Sequence, residues 1–506
     1  MIARKSTLII IANIIEAVTA YIALWYITRY MAPGDYGVIG FAMGFVGLFS
    51  IIANLGYTNA HVKYISEGKD KGVCNGTFFS IKLVLMGLMS LATITAVFFW
   101  KAILQRGFET PAHEIAIFII LVYYVLENLA NMFLTTFTGE IKIAKSEIPK
   151  FVATIARTIA IIYVAILGLG PINLAYAYVF GHLFMFILSA WLFRNYSIKR
   201  PTKECFKDYT RFAWPLVLVS CASLLISNLD KVLIQLFWSS DEVGYYFASQ
   251  RISGFIVLFA VSLGLILFPT FSAYFSKKDS ESVRNIFRLS ERYISLFTFP
   301  AVIGLAVLAE PTIHILLSDK YISAVPIFRV LPFYALLYAF TIPFESVFLG
   351  MNKPKLVRNR MLMMLVCNVV LCIVFIPKDI HILGLKLFGW GAAGAGLATV
   401  ISYAIGLFFY SVSAKKQFNI QLSFKILLHL FAATIMGLIL YWISASGIIL
   451  LDRWFELIGV SVLGIGIYVG ILWVIREFTK KDLYFILDIL SIRKMWTYIV
   501  KEMKEK

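Results

Sequence analysis

Residues 36–58 read YGVIGFAMGFVGLFSIIANLGYT, a run without one charged side chain. An α-helix rises 1.5 Å per residue, so about 20 apolar residues cross the ~30 Å hydrocarbon core of a bilayer. This run is long enough. Polar groups stripped of water must bond within their own segment, which makes a helix the natural form for such a run. The same pattern recurs along the chain: 60% of the 506 residues are hydrophobic and only 15% are charged. That is too apolar for a water-soluble surface, where roughly a quarter of residues carry charge. The sequence therefore predicts an all-α polytopic membrane protein in which the excess apolar surface faces lipid.

The same ruler marks fourteen candidate spans, at 7–29, 36–58, 77–100, 114–137, 151–169, 172–193, 212–238, 244–271, 293–310, 324–350, 357–377, 390–413, 424–446 and 454–475. Gly168-Leu169-Gly170-Pro171 splits the fifth from the sixth, and Pro326, Pro332 and Pro343 interrupt the tenth. The basic start at Arg4 and Lys5 has the look of a secretory signal, but Asn13 and Glu16 break the apolar stretch and no cleavage pattern follows. It reads as the first span. Most of the 46 lysines and arginines fall at the start, in alternate loops and after the last span. The positive-inside rule then places both termini in the cytoplasm of a cell-membrane protein. The net charge of +18 is thus a matter of topology and anionic lipid rather than of nucleic acid. After Arg476 the tail alternates basic with apolar residues (Leu483, Ile486, Ile489, Met495, Trp496), the pattern of a segment lying on the inner face.

A repeat is visible. Pro33-Gly34-Asp35-Tyr36-Gly37 links the first two spans, and Ser240-Asp241-Glu242-Val243-Gly244 links the seventh and eighth, 207 residues later. Six spans return a chain to its starting side, so the two sets share one orientation, as in parallel-repeat transporters. The expected organisation is a six-helix lobe over 1–211, a second over 212–420, two added spans over 421–476 and a cytoplasmic tail over 477–506.

No phosphate-cradling glycine loop, HExxH motif or Cys/His cluster occurs, so neither a cofactor nor a metal is expected and this chain alone is no ATP-driven pump. Cys74, Cys205, Cys221, Cys367 and Cys372 lie in inner loops or spans and read as packing residues. Charges at membrane depth are costly and usually face a bundle interior. Span seven carries Ser220, Ser223, Ser227, Asn228, Lys231 and Gln235 at helical intervals, with Asp230 beside them; span one carries Asn13 and Glu16; span four carries Glu127 and Asn131, with Asn128 adjacent. If spans one and seven are equivalent, their stripes line one shared cavity. Arg251, Lys231 and Arg157 are its candidate cations, suited to phosphate. Lys82, near the inner end of span three, is expected to reach the headgroups.

Two stretches carry a family resemblance. Met31–Glu67 holds Asp35-Tyr36-Gly37, Asn54-Leu55-Gly56 and Val62-Lys63-Tyr64-Ile65. Phe212–Phe275 holds Trp214-Pro215-Leu216, Asn228-Leu229-Asp230-Lys231-Val232-Leu233-Ile234, Val243-Gly244-Tyr245-Tyr246-Phe247-Ala248, Arg251-Ile252 and Leu267-Phe268-Pro269. Both resemble polysaccharide-transporter flippases of the O-antigen (Wzx-type) group, within the multidrug/oligosaccharidyl-lipid/polysaccharide superfamily; beyond Pro343 the likeness is loose. The resemblance implies two six-helix lobes plus two helices around a central cavity, working by alternating access. It implies a substrate, a polyprenyl-(pyro)phosphate-linked oligosaccharide, carried from the inner to the outer leaflet. Arg251 falls where such members place a cavity arginine, and Asp230 on their span-seven acid. Membrane lipids and glycan assembly enzymes are the implied partners, and proton or sodium coupling occurs in the superfamily, with Glu16 and Glu127 as candidates here. Two other readings stay open: a cation-coupled exporter of amphiphilic drugs or metabolites, and a membrane glycan polymerase, for which no sizeable outer loop is visible.

Overall fold

A computed structural model describes residues 2–103, 107–380, 384–447, 449, 451–480 and 482, without the side chains of residues 2–14, 103, 215, 258, 259, 262, 263, 265, 266 and 380. The chain is helical almost throughout: α1 (Ile2–Tyr30), α2 (Pro33–Ala53), α3 (Tyr57–Ser66), α4 (Lys71–Ile103), α5 (Pro111–Gly139), α6 (Ile143–Ile166), α7 (Gly170–Phe193), α8 (Lys203–Phe237) and α9 (Ser240–Ser276). There follow α10 (Ser280–Val307), α11 (Ala309–Leu316), a 3₁₀ turn (Asp319–Ala324), α12 (Val325–Val330), α13 (Pro332–Gly350), α14 (Pro354–Phe375), α15 (Gly391–Phe418), α16 (Lys425–Ser446) and α17 (Trp454–Val474). Before α15 a two-residue antiparallel ladder pairs Asp379–Ile380 (β1) with Leu385–Lys386 (β2).

Among the described residues, eleven helices are long and apolar enough to cross a membrane, or twelve if α10 and α11, bent by 80°, form one span. α1 and α9, of 29 and 37 residues, run over the expected first and eighth spans. The outward faces are apolar: Trp442 is 61% and Val474 82% exposed, surface that only lipid accommodates in such numbers. The expected breaks are present. Residues 167–169 separate α6 from α7, and α12 and α13 each carry a proline in their first turn (Pro326 and Pro332), where the missing N–H is harmless. The expected amphipathic tail beyond Asp482 lies outside the described residues.

Contacts divide the chain into two compact units. One joins Ala12–Ile252 to Arg358–Ser402; the other holds the described parts of Met1–Ile11, Ser253–Val357 and Tyr403–Lys506. In the latter, α10 packs on α13 and α16, and α16 on α17, around a core that includes Ile294, Val302, Ala339, Met436 and Leu472. In the former, α2 is the central element, touching α4, α5, α7 and α8.

The reason is the glycine pattern of α2. Gly37, Gly40, Gly44 and Gly47 recur at three- and four-residue intervals and share one face. Each costs up to ~1 kcal/mol of helix propensity against alanine, but a face without side chains lets another backbone approach closely. A Cβ on Gly37 would stand 1.7 Å from the Ser240 carbonyl oxygen, and one on Gly244 would stand 2.0 Å from that of Pro33. These contacts are reciprocal. Pro33 and Ser240 are repeat equivalents at the 207-residue offset, as are Gly37 and Gly244. Gly40 meets Val243, while their counterparts Phe247 and Tyr36 meet with ring centroids 4.9 Å apart. Residue i touching j′ while j touches i′ is the signature of a two-fold axis. The repeat seen in sequence is therefore realised as a local two-fold crossing of α2 and α9.

Candidate functional site

The lower half of the α2 glycine face meets α8. A Cβ on Gly44 would lie 2.9 Å from Cβ of Lys231, and one on Gly47 within 3.0 Å of the Asn228 side-chain amide. Asn228 and Lys231 of the span-seven stripe thus pack against α2 rather than lining a cavity, whereas Ser223 and Ser227 of the same stripe are exposed. Close backbone approach at glycine outweighs the wetting of the stripe. Lys231 is only 3% exposed; its ammonium donates to Ser227 O at 2.5 Å and Gln250 Oε1 at 3.2 Å and lies 3.5 Å from Asp230 Oδ1. Asp230, equally buried, accepts hydrogen bonds from the Lys231 amide at 2.8 Å and from the Tyr246 hydroxyl. Lys231 is held by its own neighbours and does not line the pocket of the other two candidate cations, although Arg251 is close enough to act on it electrostatically.

Those two are brought together. Arg157 of α6 and Arg251 of α9 line one pocket, walled by Ala20, Leu24 and Ile27 of α1 and closed by Tyr36 and Tyr178. The Arg251 guanidinium lies 4.9 Å above the Phe247 ring and Arg157 lies 5.9 Å from the Tyr178 ring, placements that favour a cation over an aromatic face. Arg251 is exposed, and the pocket that it lines draws residues from four other helices, α1, α2, α6 and α7. Among the described residues neither arginine has a carboxylate within ion-pair distance. Glu127 interacts electrostatically with Arg157, but more strongly with Lys82. Two guanidiniums sharing a low-dielectric pocket repel each other and attract an anion strongly. The pocket's volume is about 30 Å³, room for about one or two waters.

Lys82 does not reach the headgroups. It is 1% exposed and donates to Ala53 O at 2.6 Å, Asn128 Oδ1 at 2.9 Å and Asn54 Oδ1 at 3.3 Å. Ala53 ends α2, where unpaired carbonyls carry the negative end of the helix dipole, and the ammonium satisfies them. Lys82→Met is expected to lower stability by about 1–3 kcal/mol, because the carbonyl and the amide oxygens stay buried without a donor. The midpoint of thermal unfolding in detergent reads this; an unchanged or higher midpoint refutes the capping role.

Of the remaining candidates, Glu127 and Asn131 are half-buried one turn apart on α5, and Asn128 is the residue that holds Lys82. Glu16 is exposed on α1, away from the arginine pocket, and the side chain of Asn13 lies outside the described residues. Sequence reasoning missed Tyr36 and Tyr178, since tyrosines in apolar runs look like ordinary packing. It also missed Glu109. This loop carboxylate accepts from the Ser240 amide at 2.8 Å, the Ser240 hydroxyl at 2.5 Å and Gln235 Nε2 at 2.8 Å. Burial alone would raise its pKa, but these donors from Ser240 and Gln235 prevail and hold it below the usual carboxylate range. His113 Nε2 is bonded to the same Ser240 hydroxyl at 2.9 Å. With Glu242 accepting from the Ala392 amide at 3.2 Å and Trp238 Nε1 donating to Ile376 O at 2.7 Å, the α2–α9 crossing is flanked by a polar clasp.

Known proteins share this architecture. The "Lipid II flippase MurJ, inward closed conformation" superposes with a TM-score of 0.74 at 16% identity, over 92% of this chain and 98% of that one. An inward-facing multidrug resistance MATE family transporter of the MOP superfamily gives 0.66 at 16% identity, over 79% and 96%. The "Probable low-salt glycan biosynthesis flippase Agl15" of Haloferax volcanii is 21% identical over 426 residues, 83% of this chain and 86% of that protein. The "Probable flippase AglR" of the same organism is 21% identical over 413 residues, 80% and 82% of the two chains. Residues 26–326 match the family model described as "Polysaccharide biosynthesis protein", a stretch that spans the α2 glycine face, both arginines of the pocket and the α2–α9 crossing. With more than half its length inside that model, this multi-pass membrane protein belongs to the polysaccharide biosynthesis protein family.

Proposed function

We propose that this chain is a flippase that moves a polyprenyl-(pyro)phosphate-linked oligosaccharide from the inner to the outer leaflet by alternating access, in the assembly of cell-surface polysaccharide or glycan. The observation that carries this reading is the pair of guanidiniums, Arg157 and Arg251, without acid partners in one pocket inside the bundle. A phosphate or pyrophosphate is the ligand such a pair fits, because planar forks can each donate two charge-assisted hydrogen bonds to it. A glycan headgroup cannot cross hydrocarbon unaided, since each hydroxyl would lose its water partners. A polar pathway removes that barrier while the polyprenyl tail stays in lipid. The flippase names of the Haloferax relatives point the same way.

No bond is made or broken in this reading, so the chain acts as a transporter and not as an enzyme. Both termini face the cytoplasm, and the two lobes are residues 1–211 and 212–420. Movement against a gradient requires coupling to a proton or sodium ion, for which Glu127 and Asp230 are the buried or half-buried acids to test. An exporter of cationic amphiphiles would share the fold, but two unpaired arginines would repel its cargo.

The test is translocation in proteoliposomes, with lipid-linked oligosaccharide loaded in one leaflet and detected in the other by a membrane-impermeant glycosidase. Protein-dependent appearance of the glycan is expected. If several carriers fail under imposed ion gradients while a cationic dye is expelled, the exporter reading replaces this one.

A further inference from the structure

The other compact unit carries a second group of basic side chains, none of which lines the arginine pocket. A polar cleft of about 780 Å³ opens between the start of α10 and the α15–α16 connection, lined by Arg284, Asn285, Arg288, Arg292, Gln421 and Lys425. Two of its four cations are already engaged. Arg292 donates to Asp482 Oδ1 at 2.7 Å and to Glu477 Oε1 at 2.6 Å, and Lys425 Nζ lies 2.8 Å from Glu477 Oε2. Arg284 and Arg288 are not so engaged: among the described residues neither forms an ion pair. They stand one helical turn apart on α10, and both line the same cleft.

The rim is as telling as the floor. Leu289 is 50%, Leu422 44% and Phe424 75% exposed, and all three border the cleft. Unpaired cations beside exposed apolar side chains match a ligand that is anionic at one end and apolar at the other. A soluble anion would leave the rim without a partner. The basic-residue distribution assigns this side of the membrane to the cytoplasm, where surface anionic lipid concentrates. The α10 end lies at the depth of headgroups, since Arg284 and Arg288 precede the apolar part of the helix.

We propose that this cleft binds the phosphodiester headgroup of an anionic phospholipid, with Arg284 and Arg288 holding the phosphate and Leu289, Leu422 and Phe424 against the acyl chains. The polar groups of Asn285 and Gln421 are placed to meet the headgroup's hydroxyls.

The full chain in neutral detergent, titrated with short-chain phosphatidylglycerol, phosphatidylcholine, a polyprenyl phosphate or inorganic phosphate, provides the test, read as the shift in thermal unfolding. Phosphatidylglycerol is expected to act at a concentration at least tenfold lower than phosphatidylcholine. Arg284→Gln/Arg288→Gln is expected to erase that preference with little change in the lipid-free midpoint. Should the double variant fail to fold, Arg288→Gln alone, at an exposed position, is expected to weaken the preference severalfold. The proposal is overturned if the variants keep the full preference or if inorganic phosphate reproduces the shift. It is equally overturned if polyprenyl phosphate binds more tightly than phosphatidylglycerol, which assigns the cleft to the carrier.

Discussion

Gly37→Ala is expected to reduce translocation by more than tenfold while leaving the protein folded. The added methyl would sit 1.7 Å from the Ser240 carbonyl oxygen and 3.0 Å from the Gly244 nitrogen. Both are backbone atoms, so no side chain can swing away and the helices themselves must part. Overpacking of a tight contact costs about 1–3 kcal/mol, and each 1.4 kcal/mol depletes a conformation tenfold relative to its alternatives. A transporter that must visit both states then spends too little time with α2 and α9 zipped. Gly244→Ala, the repeat equivalent, is expected to behave alike, since its methyl would meet the Pro33 oxygen at 2.0 Å. Gly87→Ala is the control, having nothing within 4 Å. Disulfide formation between Gly34→Cys and Asp241→Cys, in a background freed of the five native cysteines, reports the zipped state directly. Cross-linking at least tenfold slower in the Gly37→Ala protein is the expected result; equal rates and equal transport would show that the crossing never needs to close this tightly.

Arg251→Ala is expected to have the second large effect. A hydrogen bond to a charged group is worth about 1.5–3 kcal/mol, so losing one guanidinium from a phosphate predicts roughly a 10- to 150-fold loss in translocation at low substrate. Arg157→Ala is expected to fall in the same range, and Arg251→Lys between the two extremes, because lysine keeps the charge and gives up the planar fork. Lys231→Met is expected to act otherwise. Its ammonium serves Ser227, Gln250 and Asp230, so its loss registers in unfolding temperature and leaves Asp230 without its cation. If Arg251→Ala transports at the intact rate while well folded, the pocket is not the anion site.

Much of the fold was legible because the bilayer enforces a crude rule: a helix of about 20 apolar residues, with basic loops on one side. Residues 36–58 satisfied it at sight, and the Gly37/Gly244 offset marked a repeat that the contacts bear out. Packing within the bundle was less legible. A polar stripe on α8 looks the same in sequence whether it faces water or the bare backbone of another helix. Only the glycine spacing of α2 hinted at the latter. Lys82 shows the same ambiguity: a lysine near the end of a span either extends to the headgroups or turns inward to a helix terminus. Which it does depends on Ala53 and Asn128, which are distant in sequence. Arg157, Lys231 and Arg251 could be marked together as cavity cations because charge is costly at membrane depth, but nothing along the chain said that only the two arginines would share a pocket.

The two-fold crossing bears on where the cargo rides. At the 207-residue offset the counterpart of Lys231 is Leu24, and that of Gly44 is Arg251. On one flank of the axis, then, a lysine rests against a glycine; on the other, a leucine and an arginine stand at the equivalent places, lining the same pocket. One flank buries its lysine beside Asp230, while the other places Arg251 in a pocket with Arg157. On the proposed reading, an anion entering such a frame would be drawn off the axis and held by one side alone, a transporter symmetric in its joints and lopsided in its grip.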